Sequence, residues 1–141
     1  MTAAAAAWVL LPPPSPEAIN WTAFDTSAVR AAEADGRVVV VKYTADWCTV
    51  CKIVDYTVYR RQDVADALEQ RNVLAVRADV TRTAAAAAQH LRDVLREAGH
   101  PVTLLRGPAL DEPIRLHGTF SAADLLDAVD RARGAEEVAG R

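Results

Sequence analysis

No apolar run among these 141 residues reaches the roughly 18–20 that span a bilayer, so the chain holds no complete membrane helix. Positive charge is not in excess either. Lys and Arg number 16 against 19 Asp and Glu, for a net charge of −3 and a pI near 5.6; a nucleic-acid surface would want a basic stripe. Lysine occurs only at positions 42 and 52, and the scattered arginines read as a solvated exterior. No internal repeat and no second domain is visible, and the length fits a single domain. Cysteine is confined to Cys48 and Cys51. A structural zinc would need His90, His100 and His117 to supply further ligands, and no two of them have the short spacing of zinc-binding histidines. A purely structural staple is also poor. Its closed loop would hold only Thr49 and Val50, and short loops remove little unfolded-state entropy.

What is present is ordinary for a globular chain: 51% hydrophobic and 25% charged. Residues 1–19 form a leader, 20–134 the domain and 135–141 a polar tail. The leader is ambiguous. Its apolar stretch 3–11 resembles the middle of a signal peptide without a preceding positive charge. It equally suits the end of a membrane helix, or a disordered tail ending in a proline spacer. In the domain, 19–25 predicts a short strand and 26–36 a helix capped by Thr26 or Ser27 and closed by Gly36. The run 38–43, β-branched and aromatic without alternation, predicts a strand buried on both faces. The spacing of Val50, Ile53, Val54 and Val58 predicts a helix over 48–59, and 61–71 continues helically as a second piece. A strand is expected over 73–80. An alanine-rich helix follows over 83–98, with the stripe Leu91, Val94, Leu95, and Gly99 ends it. Strands 102–106 and 114–118 make an antiparallel hairpin. Ser121 with Asp124 resembles a capping box opening the last helix, whose stripe is Leu125, Leu126, Val129. The order β-α-β-α-β-α-β-β-α is an α/β arrangement: a central mixed sheet flanked by helices, with a parallel core and antiparallel closing strands.

Cys48 falls where a buried strand gives way to a helix. Unpaired N–H groups and the positive end of the helix dipole stabilise a thiolate there, and the thiolate is the attacking species. Cys51, one turn later, can resolve a mixed disulfide. A Cys-x-x-Cys inside a βαβ pattern thus reads as a redox pair. Pro101 opens a strand where a missing N–H is tolerated, and the bond preceding it is of the one type that is cis with any frequency.

The strings Ala45-Asp46-Trp47-Cys48, Cys51-Lys52, Gly99-x-Pro101 and Gly118-Thr119-Phe120 resemble the thioredoxin superfamily. More narrowly, they resemble the C-terminal thioredoxin-like domain of DsbD-type and ScsB-type thiol:disulfide interchange proteins, over roughly residues 20–132. The resemblance implies a thioredoxin fold, Cys48 as nucleophile, Cys51 as resolving thiol, Pro101 as a cis-proline facing them, and Trp47 as part of an apolar docking surface. It implies a monomeric protein-disulfide reductase with no metal or organic cofactor beyond its redox-active disulfide. Such a domain works outside the cytoplasmic membrane, in the setting of cytochrome c biogenesis. It takes electrons from a membrane-embedded donor domain and passes them to a partner protein's disulfide. The rivals are a general thioredoxin-like oxidase or isomerase, a cytoplasmic location, and a non-enzymatic interaction module.

The sequence departs from the family twice. Lys42 stands six residues before the first cysteine, where thioredoxins carry a buried acid. A lysine in a buried strand must pair, snorkel or lose its charge. Asp55, four after Cys51, shares its helix face. The expectation is an ion pair between Lys42 and Asp55 beneath the cysteines, with Asp55 managing the Cys51 proton; the alternative has Asp55 facing water and Lys42 snorkelling out. His100 stands where the family has an apolar residue. It is either an exposed loop histidine or a group that, protonated beside Cys48, favours its thiolate.

Overall fold

In the computed structural model the described residues are 17–82, 85–96 and 101–134. The run of β-branched residues after Gly36 becomes the central strand β2 (Val39–Thr44), every residue of which is buried. Its side chains alternate across the sheet. Val39, Val41 and Tyr43 enter one apolar cluster, while Val38 and Val40 enter the other. Strand β3 (Leu74–Asp79) lies parallel on one side of β2, and β4 (Val102–Arg106) lies antiparallel on the other. The two-residue strand β1 (Thr22–Ala23) flanks β3, and β5 (Ile114–His117) flanks β4, giving the order β1-β3-β2-β4-β5. The mixed sheet and the closing antiparallel hairpin agree with the arrangement read from the sequence. The first strand is shorter than the 19–25 expected, because only its middle finds a partner, pairing Thr22 with Val76 and Ala23 with Arg77.

Helices cover both faces. On one side α1 (Thr26–Ala34) contributes Ala32, and α4 (Ala86–Gln89) with its π-helical turn (His90–Val94) contributes Ala87, Ala88 and Leu91. On the other lie α2 (Thr49–Val54), α3 (Gln62–Gln70) and α5 (Ala122–Arg133). The N-cap of α1 is Asp25, not Thr26 or Ser27: its carboxylate accepts from the Ser27 N–H at 2.9 Å, and an acidic cap there also complements the helix dipole. Ser121 and Asp124 form the full capping box of α5. The helix expected over 48–59 changes character at Asp55 and runs to Tyr59 as a π-turn. Gly107 passes so close to α5 that a Cβ there would meet Ala132, its carbonyl oxygen included. The leader through residue 16, residues 83–84 and 97–100, and the tail from 135 lie outside the described residues, and with them Gly99, His100 and the peptide bond before Pro101.

Candidate active site at the start of α2

β2 ends at Thr44, and the chain reaches Cys48 through a short loop fastened to the end of β3. The Asp46 N–H donates to Thr81 Oγ1 at 3.0 Å, and the Trp47 indole N–H to the Thr81 carbonyl at 3.3 Å. Thr81 is fixed in turn by its N–H to Asp79 Oδ1 at 2.8 Å and by its hydroxyl on the same carboxylate. These bonds hold the Asp79 carboxyl below its usual range. Cys48 is the N-cap of α2, and its sulfur accepts from the Cys51 N–H at 3.2 Å. A backbone donor at this helix end therefore points at the Cys48 sulfur, the arrangement that stabilises a thiolate. The two cysteines are joined as a disulfide with Cα atoms 5.3 Å apart. Cys48 is 7% exposed and Cys51 3%, so both residues are buried and the first slightly less so. Trp47 beside them is 61% exposed.

Pro101 precedes β4 and shares a recess with Cys51. Lys42, Tyr59 and Thr103 also line this recess, of about 10 Å³, room for about one water. Lys42 and Asp55 come together beneath the cysteines. Lys42 Nζ is 2.6 Å from Asp55 Oδ1, with the lysine side chain 5% and the aspartate 21% exposed. The alternative of a snorkelling lysine is thereby set aside. The same ammonium lies 4.3 Å from the centre of the Trp21 ring and 4.9 Å from that of Tyr59. Desolvation pulls the Lys42 pKa below the ordinary lysine value, and the Asp55 hydrogen bond and charge oppose that pull. Tyr59 is clamped from three sides: edge-on contacts with Trp21 and Phe120, and a 2.6 Å hydrogen bond between its hydroxyl and Thr103 Oγ1. Its burial pushes the phenol pKa upward.

Sequence reasoning singled out Lys42, Asp55, Cys48, Cys51, Trp47 and Pro101. The structure joins Cys48 to Cys51, pairs Lys42 with Asp55, and lines one recess with Lys42, Cys51 and Pro101, while Trp47 precedes Cys48 in the chain. Sequence reasoning missed Trp21, Tyr59 and Thr103. Lys42 itself was the available signal, since a buried cation calls for ring faces as well as an acid. Among the described residues no group of three or more His, Cys, Asp or Glu could hold a metal ion. Nor is any of their helices long and apolar enough to cross a membrane.

A family model described as thioredoxin-like matches residues 20–108. Thiol:disulfide interchange protein DsbD 2 of Pseudomonas aeruginosa is 36% identical over 98 residues, which make up 68% of this chain and 16% of that protein. The chain thus spans well under a fifth of that relative's length. The fold is shared with the C-terminal domain of DsbD from Neisseria meningitidis in its oxidised form, at a TM-score of 0.58 and 22% identity over 81% of this chain and all of that one. It is also shared with a thioredoxin from Thermus thermophilus, at a TM-score of 0.64 and 21% identity over 88% of this chain and 94% of that one.

Proposed function

The chain belongs to the thioredoxin-like family, and from that premise we propose that it is a thiol:disulfide oxidoreductase working in the reducing direction. The observation that carries the proposal is the Cys48–Cys51 disulfide at the head of α2, with the Cys51 N–H already directed at the Cys48 sulfur. In the reduced protein the Cys48 thiolate attacks a partner disulfide. One partner sulfur leaves as a thiolate and takes up a proton, and a mixed disulfide remains. Cys51 loses its proton, attacks the Cys48 sulfur and expels the second partner thiol. Two electrons pass to the partner and the Cys48–Cys51 bond is restored. Pro101 borders the pair as the backbone against which the partner strand lies, and Lys42 and Asp55 set the ionisation of Cys51.

The docking face we assign is the exposed apolar row beginning at Trp47 and continuing along the helix through Val50, Ile53 and Tyr56. The resemblance to DsbD supports a membrane-embedded electron donor, a partner thiol protein and a place on the extracytoplasmic face of the cytoplasmic membrane, where disulfides persist. The domain needs only its own disulfide as cofactor and acts as a monomer.

The test is reduction of a model protein disulfide by the dithiol form, together with its reduction potential. Turnover is expected to vanish in Cys48→Ala, and Cys51→Ala is expected to accumulate mixed disulfides. A potential near that of thioredoxin, about −270 mV, fits the reducing direction; one near about −120 mV would overturn it.

A further inference from the structure

Cys51 must give up its proton before it can resolve the mixed disulfide. It is 3% exposed, and burial in apolar surroundings works against a thiolate. Of the ion pair beneath it, only Lys42 lines the recess that Cys51 and Pro101 share; Asp55 does not. Asp55 instead directs Oδ1 at the lysine from 2.6 Å and serves as its counter-ion. We propose that Lys42 is a positioning residue of the exchange reaction: a fixed buried cation whose field favours the Cys51 thiolate, with Trp21 and Tyr59 as its walls and Asp55 as its counter-ion. The inference rests on the oxidoreductase reading above and reverses the role expected for Asp55 as the proton handler.

Three features fix the cation. Its stem rises from the middle of a fully buried strand, with Thr103 of β4 and Arg77 of β3 as its backbone partners. Its head lies against the Trp21 and Tyr59 ring faces, and such contacts strengthen when desolvated. Its ion pair spans 13 residues and ties β2 to the π-turn that continues α2. Other charges act at longer range, Glu17 favouring and Arg77 opposing its protonation. Besides Cys51, the other titratable groups on the recess are Tyr43 and Tyr59, which burial holds neutral, so Lys42, with its counter-ion Asp55 outside the lining, is the one charged side chain that lines it. In the resolving step the Cys51 proton leaves through the recess to solvent. The Cys51 thiolate then bonds to the Cys48 sulfur as the bond from Cys48 to the partner breaks. The departing partner thiolate takes a proton from solvent.

The experiment titrates Cys51 by its thiolate absorbance in a Cys48→Ala background, with Lys42 intact, with Lys42→Met, and with the charge-swapped pair Lys42→Asp and Asp55→Lys. The Cys51 pKa is expected to rise in that order, by about one unit at the first step, the low end for a charge in close range of an ionising group. An unchanged value or a reversed order overturns the proposal. A second measurement does not depend on any variant folding. Coupling is reciprocal, so in the unaltered protein the Lys42 ammonium must titrate at higher pH in the dithiol form than in the disulfide form, as read by nuclear magnetic resonance of Nζ. Equal values in both forms overturn it as well. A protein that exchanges no disulfide would sink the functional reading and leave these titrations readable. An active protein with a flat series sinks only the role of Lys42.

Discussion

Tyr59 meets its surroundings in two ways, and they can be separated. Its ring walls Lys42, while its hydroxyl shares a hydrogen with Thr103 Oγ1 at 2.6 Å in a fully enclosed spot. Tyr59→Phe keeps the ring face and strands the Thr103 hydroxyl. A buried polar group left without its partner costs about 1–3 kcal/mol, and that loss is expected in urea unfolding. The double variant with Thr103→Val removes both polar atoms and should recover most of it, so the cycle isolates the bond. Single residues were unevenly legible in the sequence. Cys48 and Cys51 stand out by spacing, and Lys42 and Asp55 by being charges on buried or inward positions. Trp21, Tyr59 and Thr103 carry no such mark. They reach Lys42 from a loop, a π-turn and a different strand, and only the sheet register brings Thr103 opposite Lys42.

Elements were read well in kind and less well at their ends. The alternating strands and helices follow directly from β-branched runs and apolar spacing, as β2 and α5 show. The change of helix type at Asp55 does not, because apolar residues at 50, 53, 54 and 58 suit an α-helix or a π-turn alike. The physical cause lies in a side chain: the Thr57 hydroxyl donates to the Ile53 carbonyl at 2.9 Å, and further on the Arg60 N–H reaches back five residues to Asp55 at 2.8 Å. A threonine that occupies the carbonyl four residues back weakens the regular ladder, and π-turns gather at functional sites. The seam between β4 and α5 gives a prediction at this scale. The Ala109 N–H donates to the Ala132 carbonyl at 3.0 Å, which draws the chain at Gly107 against the helix. Gly107→Ala drives a methyl into backbone that cannot swing aside. It is expected to lower stability by about 1–3 kcal/mol, as overpacked sites do, while leaving the Cys48–Cys51 chemistry at the far end of the sheet unchanged. Chemical denaturation alongside a disulfide-exchange assay would check both halves.

Taken whole, the molecule keeps two phenols and one amine inside, and they answer alkali with opposite signs. Tyr43, stacked on His90 and hydrogen-bonded to it at 2.9 Å, has its pKa pushed by desolvation from 10.0 up to about 12; Tyr59 moves the same way. A pKa raised by folding contributes stability that is complete below the unfolded value and disappears as pH climbs through the folded one. Lys42 moves the other way. Its pKa lies below 10.5 in the folded protein, so in that window the unfolded chain binds more protons and stability rises with pH. Urea midpoints of the disulfide form should therefore hold or rise toward pH 10 and fall between pH 10 and about 12, with a shallower fall in Tyr43→Phe. A fall that begins at neutral pH would contradict the assignment.

The enclosure of Lys42 also bears on how the protein can be tagged. Of its two lysines, one is shut inside at 4% exposure and the other, Lys52, is exposed immediately after Cys51. An amine-directed dye or resin that reacts with a lysine side chain is therefore steered to the residue next to Cys51, and immobilising the molecule in that way would crowd the face proposed above for docking.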